Sequence, residues 1–95
     1  MLVIKEEALQ EIRQAQLWYE VQKPGLGERF RRDLFESLRF VVEHPPGYAI
    51  RKAQYRPVLL GKFPYVVWYA VEGADVVVYR VRHGKQRPLR KFTGR

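Results

Sequence analysis

The residues best suited to chemistry lie in the second half of the chain. Arg80, Arg82 and His83 fall within four positions, Lys85 and Arg87 follow them, and Arg51, Lys52 and Arg56 stand earlier. Guanidinium groups grip phosphate oxygens through paired hydrogen bonds and keep their charge at any physiological pH. They would stabilise the negative charge that builds on a transferring phosphate. Histidine titrates near neutrality and can move a proton to or from a ribose oxygen. This set therefore predicts either phosphodiester chemistry or the binding of an anionic surface. No carboxylate pair is placed to hold a metal, so cleavage would be metal-free, and no cofactor is expected. The plainer reading of His83 is an ordinary surface residue at a strand end.

Charge distribution sharpens this. Of the 95 residues, 1–50 carry seven Lys/Arg against eight Asp/Glu, a net of −1, and 51–95 carry eleven against two, a net of +9. Such asymmetry points to nucleic acid, a ribosomal surface or an acidic protein partner. The plain alternative is a solvated basic tail, here from about residue 83, but Arg80 and Arg82 fall inside a strand-like run. With no cysteine, disulfides, thiolate nucleophiles and thiolate metal sites are excluded. No phosphate-cradling glycine loop or zinc spacing is present. No stretch is long and apolar enough to cross a bilayer, and no secretory leader is expected at the N-terminus, so a cytoplasmic location is expected.

The elements that must position these residues follow from periodicity. An apolar content of 46% in 95 residues predicts one folded domain spanning 1–95. Leu2-Val3-Ile4-Lys5 reads as a short edge strand. A helix is expected from about Glu6, with Ala8, Ile12, Ala15 and Tyr19 as its apolar stripe and Trp18 also a packing residue. Lys23-Pro24-Gly25 breaks it. A second helix is expected from Leu26 or Gly27 to about Glu43, burying Phe30, Leu34, Leu38, Val41 and Val42. Its Arg29, Arg31, Arg32, Asp33, Glu36 and Arg39 are expected mostly on the exposed side. His44-Pro45-Pro46-Gly47 ends it. Strand-like runs follow at 55–60, 63–71 and 76–82, joined by Gly61-Lys62 and by a turn at 72–75. The fold class is α+β, in the order β-α-α-β-β-β, with an N-terminal helical hairpin packed on an antiparallel sheet and the other sheet face open. In the last strand, Val77, Tyr79 and Val81 are expected under the helices. Val76, Val78, Arg80 and Arg82 are expected on the open face. Phe63, Tyr65, Trp68, Tyr69 and Tyr79 could stack on bases but read first as core.

Taken in order, several short pieces resemble the RelE/ParE superfamily of toxins from type II toxin–antitoxin modules. They are Ala8 with Trp18-Tyr19-Glu20, Pro24-Gly25-Leu26-Gly27 with Phe30, His44-Pro45, Tyr55-Arg56, Phe63-Pro64-Tyr65 with Tyr69, and His83 with Arg87-Pro88. The resemblance implies a cognate antitoxin with an acidic or amphipathic segment, and operator DNA bound only through that antitoxin. It implies one of two targets. The ParE-like branch poisons DNA gyrase. The RelE-like branch cuts messenger RNA on the ribosome. By position, Arg56, His83 and Arg87 match basic residues of the family pattern. If the chain is a ribonuclease, His83, Arg82 and Arg56 are its expected catalytic set. Arg51, Lys52, Arg56, Arg80, Arg82, Lys85 and Arg87 are the expected nucleic-acid or antitoxin contacts. Some nuclease members carry a C-terminal tyrosine, and this chain has none after Tyr79. With the Pro-Gly-Leu-Gly turn and the Phe-Pro-Tyr strand start, this favours the ParE-like branch. A third reading is a member that binds antitoxin but has lost toxicity.

Overall fold

Two helices lie against one face of a four-stranded sheet in a computed structural model that describes residues 1–44 and 55–85. The elements are β1 (Leu2–Ile4), α1 (Glu6–Gln22), α2 (Leu26–Glu43), β2 (Arg56–Leu59), β3 (Tyr65–Glu72) and β4 (Asp75–His83). This is the expected element order. Arg51, Lys52, Arg87 and the Pro45-Pro46-Gly47 stop lie outside the described residues.

α1 starts where Glu6 and Glu7 can face the positive end of the helix dipole. It ends at the Lys23-Pro24-Gly25 break, where Gly25 adopts a left-handed φ of 92° that disfavours any side chain. The turn back into α2 is fastened by Glu20, whose carboxylate accepts the N–H groups of Gly25 and Gly27 at 3.0 Å each. An acid from the end of one helix thus caps the start of the next, satisfying two of its orphan donors. Gly27 sits where α2 passes close against α1. A Cβ there would lie 2.6 Å from the Gln16 carbonyl oxygen.

Ala8, Ile12 and Ala15 of α1 and Phe30, Leu34, Leu38 and Val41 of α2 are buried together with Val67 and Tyr69 of β3 and Val76, Val78 and Val81 of β4. Tyr19 closes this core at the turn end, stacking on Phe30 at 5.4 Å and meeting the Phe63 ring edge-on at 4.9 Å. Two side chains depart from the expected placement here. Asp33 is buried, and its Oδ2 accepts the Lys62 N–H at 2.8 Å. It ties α2 to the β2–β3 turn, which folds back over that side of the helix. Trp18, expected to pack, is 58% exposed. It lies roughly 80–100° around the helix from the buried stripe.

The sheet order is β1-β4-β3-β2. β2, β3 and β4 form the expected antiparallel meander. β1 is an edge strand, as expected, but it pairs parallel to β4, with Leu2 opposite Val76 and Ile4 opposite Val78, so the sheet is mixed. α1 and α2 together supply the long connection that a return into a parallel neighbour requires.

The facing of β4 differs from simple alternation. Tyr69 pairs with Val78 while Trp68 pairs with Arg80, leaving Tyr79 as an extra residue in a bulge. The bulge resets the inside–outside parity. Val76 and Val78 therefore face the helices before it, and Val81 does so after it. Val77 and Tyr79 lie on the opposite face with Ala70, and Val3 and Tyr55 pack against them. The expected assignment of Val77, Tyr79 and Val81 to the helix side is thus corrected for all but Val81. The outer face is not simply an open basic surface; it holds a small apolar cluster of its own.

Candidate functional site

β4 carries most of the candidate residues, and the sheet register fixes where they point. Tyr65, Val67, Tyr69 and Val71 of β3 face the helices, so Val66 and Trp68 face outward. Arg80 stands opposite Trp68 and Arg82 opposite Val66, which places both arginines on the outer side. His83 stands opposite Tyr65 on the helix side, with the two rings edge to face at 5.2 Å. Arg56 stands opposite Tyr69, at the rim of the helix-covered face, and is exposed. Between Tyr69 and Tyr65 lie four steps of strand, about 13 Å, and β3 separates Arg56 from β4. The structure brings Arg80, Arg82, His83 and Lys85 onto one strand and its exit. It does not bring Arg56 and His83 together.

Arg80 is already engaged. Its Nε lies 3.2 Å from Oε1 and 3.1 Å from Oε2 of Glu11, and its Nη2 lies 2.6 Å from Oε2. Both side chains are about four-fifths buried. This is a two-pronged guanidinium–carboxylate pair, the strong geometry for such a contact. The hydrogen bonding to Glu11 raises the Arg80 pKa still further. Glu11 Oε1 also accepts the Val81 N–H at 2.7 Å. The topology explains why that donor is available. β1 covers the edge of β4 only as far as Val78, whose carbonyl accepts the Lys5 N–H at 2.9 Å. Beyond that point α1 replaces β1, and Glu11 takes over the pairing of the strand edge.

At the end of β4, His83 Nδ1 accepts the Lys85 N–H at 2.9 Å. In this arrangement Nδ1 carries no proton, which leaves Nε2 as the protonated nitrogen. On the outer face, the Tyr79 hydroxyl donates a hydrogen bond to the Glu72 carboxylate. The Tyr55 ring meets Tyr79 edge-on at 5.1 Å, and the Lys5 ammonium sits 5.6 Å from the Tyr79 centroid. Desolvation first, and the Glu72 hydrogen bond second, push the Tyr79 pKa up to about 12. Tyr79 is therefore unsuited to act as a base near neutrality. The raised pKa means that the folded chain holds this proton more tightly than the unfolded chain, whose tyrosines titrate near 10. The contribution to stability is complete below pH 10 and is lost as pH rises towards 12. Phenolate absorbance should show a tyrosine titrating near 12 that Tyr79→Phe removes, and the alkaline fall in stability should shrink in that variant.

Two further features were not visible from residue types, and a third was. Glu11 is separated from Arg80 by 69 positions, and no local pattern links them. A groove between α2 and the β2–β3 turn is lined by Leu26, Arg29, Arg32, Glu36, Lys62 and Phe63 around the buried Asp33. On α1, Leu17, Trp18 and Val21 are exposed at 66%, 58% and 74%. The signal for the last was present: Leu17 and Val21 lie four apart, on the side opposite the Ala8-Ile12-Ala15 stripe. Among the described residues, no group of three His, Cys, Asp or Glu side chains could hold a metal ion, and no helix is long and apolar enough to cross a membrane.

Two helices packed on a small mixed sheet, with the helices preceding a three-stranded meander, make an α+β fold that agrees with a toxin of the RelE/ParE type. Residues 2–88 match the family described as the ParE toxin of the type II toxin–antitoxin system parDE, and the chain belongs to that family. It is accordingly a type II toxin with a cognate antitoxin as partner. No curated protein gives a significant match to the chain.

Proposed function

We propose that the chain is a ParE-like inhibitor of DNA gyrase, held silent in the cytoplasm by its antitoxin, and that it acts by binding rather than by cleaving RNA. The observation that carries this reading is the engagement of Arg80. Arg80 is one of the β4 arginines that could bind phosphate in a nuclease, and Glu11 holds it through both prongs with most of the pair out of solvent. The separation of Arg56 from His83 supports the same reading, because a phosphate and a proton donor must meet at one scissile bond. Membership of the ParE family agrees with it. In this reading, Arg51, Lys52, Arg56, Arg82, Lys85 and Arg87 serve partner recognition.

The test is supercoiling of relaxed plasmid by purified gyrase. The purified toxin is expected to inhibit the reaction in proportion to its concentration, and added antitoxin is expected to restore it. Full gyrase activity at excess toxin would refute the proposal.

A further inference from the structure

The groove between α2 and the β2–β3 turn gathers charges that the fold leaves unpaired. Arg29, Arg32, Asp33 and Glu36 recur at three- and four-residue spacing and so share one face of α2. Leu26, Lys62 and Phe63 complete the lining. Asp33 is 7% exposed, and only one of its oxygens has a partner: Oδ2 accepts the Lys62 N–H at 2.8 Å. Among the described residues, Oδ1 accepts no hydrogen bond, and no fully buried side-chain oxygen is left without a donor, so Oδ1 is open to the groove. The cations around it are equally uncommitted. Arg29 and Lys62 make no ion pair among the described residues, and Arg32 reaches only Glu28, at 4.0 Å and in solvent.

We propose that this groove binds a small phosphorylated molecule that carries hydroxyl groups, of the class of a sugar phosphate, free or within a mononucleotide. Its phosphate sits among Arg29, Arg32 and Lys62, and one of its hydroxyls donates to Asp33 Oδ1. The proposal is independent of the choice of gyrase as target. Three arguments fix the ligand class. The first is charge. Three cations against the carboxylates of Asp33 and Glu36 leave the lining with a net charge of only +1. An anion is therefore held only where its charge meets the cations and a donor of its own faces Asp33. Three cations favour a doubly charged phosphate over a single carboxylate, and guanidinium forks match its oxygens. The second is hydrogen bonding. A carboxylate oxygen on a side chain more than nine-tenths buried offers a ligand hydroxyl a fixed, charged acceptor, which makes the stronger kind of hydrogen bond. The third is size. The groove holds about 280 Å³, at the lower limit for small-molecule sites, which suits a sugar phosphate or one nucleotide and is too small for a helix.

The experiment titrates the isotope-labelled full chain with ribose phosphate, adenosine monophosphate, ribose and inorganic phosphate, and reads the Lys62 amide and the Arg29 side-chain Nε–H by NMR. Both phosphorylated sugars are expected to shift these signals saturably, with affinities at least about ten-fold above those of ribose and inorganic phosphate. Tighter binding of adenosine monophosphate than of ribose phosphate would identify a mononucleotide as the source of the sugar phosphate, and equal binding a free sugar phosphate. Arg29→Gln and Lys62→Gln, both at exposed positions, are each expected to weaken binding about ten-fold. Asp33→Asn keeps an oxygen for the Lys62 N–H but cannot offer the ligand a second acceptor. It is expected to bring ribose phosphate down to the affinity of inorganic phosphate. Should that variant fail to fold, the two exposed variants carry the test. No saturable shift at about 10 mM of either phosphorylated sugar overturns the proposal. Inorganic phosphate binding as tightly as ribose phosphate would mean an adventitious ion only, and also overturns it. So would an affinity for ribose phosphate that is unchanged in both Arg29→Gln and Lys62→Gln.

Discussion

Glu11→Ala is expected to destabilise the protein by about 3 kcal/mol, the largest effect of any single substitution of a charged residue among those described. The carboxylate serves two groups at once, the Arg80 fork and the Val81 N–H. Removing it leaves a largely buried guanidinium without its counter-charge and a strand N–H without an acceptor. Breaking a buried ion pair from one side costs about 3–5 kcal/mol, and an unpaired buried donor about 1–3 kcal/mol. The two do not simply add. Both side chains keep about a fifth of their exposure, so water can reach part of the gap and the lower figure applies. For a chain of this size the melting temperature should fall by roughly 10–20 °C. Glu11→Gln should lose less, because an amide oxygen can still accept from Val81. A double-mutant cycle with Arg80→Met should return a coupling of about 1–3 kcal/mol. A Glu11→Ala protein that melts with the wild type would show that α1 is not fastened to β4 in this way.

The second large effect is expected at Gly27. A methyl group there would stand 2.6 Å from the Gln16 carbonyl oxygen and 2.9 Å from Glu20 Oε1. The nearer of these atoms is helix backbone and cannot swing aside. Gly27→Ala must therefore push the helices apart or displace Glu20 from the N–H groups of Gly25 and Gly27. Overpacking of this kind costs about 1–3 kcal/mol, to which loss of the cap adds about 1 kcal/mol. The usual gain in helix propensity on replacing glycine by alanine, about 1 kcal/mol, offsets only part of this. Urea denaturation should show a net loss of about 2 kcal/mol. A stabilised Gly27→Ala protein would mean that the hairpin is looser than the geometry indicates.

What was legible in the sequence was whatever the local chain decides. The helix starts at Glu6 and Leu26, the break at Lys23-Pro24-Gly25 and the three later strands follow from periodicity and from residues that cannot continue an element. The apolar stripes of both helices pointed correctly at the core. What was hidden depends on partners distant in sequence. The bulge at Tyr79 exists only relative to β3, so strict alternation misplaced Val76, Val77, Val78 and Tyr79. Asp33 looked like one more charge on a polar helix side because its acceptor role is set by the Lys62 N–H, 29 residues away. Glu11 carries no local signal of its role either, because Arg80 and Val81 lie 69 and 70 residues away. The basic residues were found by type, but their grouping was not. Arg80 and Arg82 lie on the outer side of β4, His83 on the helix side, and Arg56 two strands away.

That dispersal, together with the capture of Arg80 by Glu11, supports the proposal that this toxin acts on gyrase by binding and does not cut messenger RNA. Its most direct test is to induce the toxin without antitoxin in growing cells and to follow two readouts from the same culture. Plasmid topology is read on chloroquine gels, and transcript integrity by primer extension. The account predicts that plasmid loses negative supercoils while transcripts remain uncut, and that co-expressed antitoxin prevents the change. Transcripts cleaved within their coding regions, with plasmid topology unaltered, would contradict it.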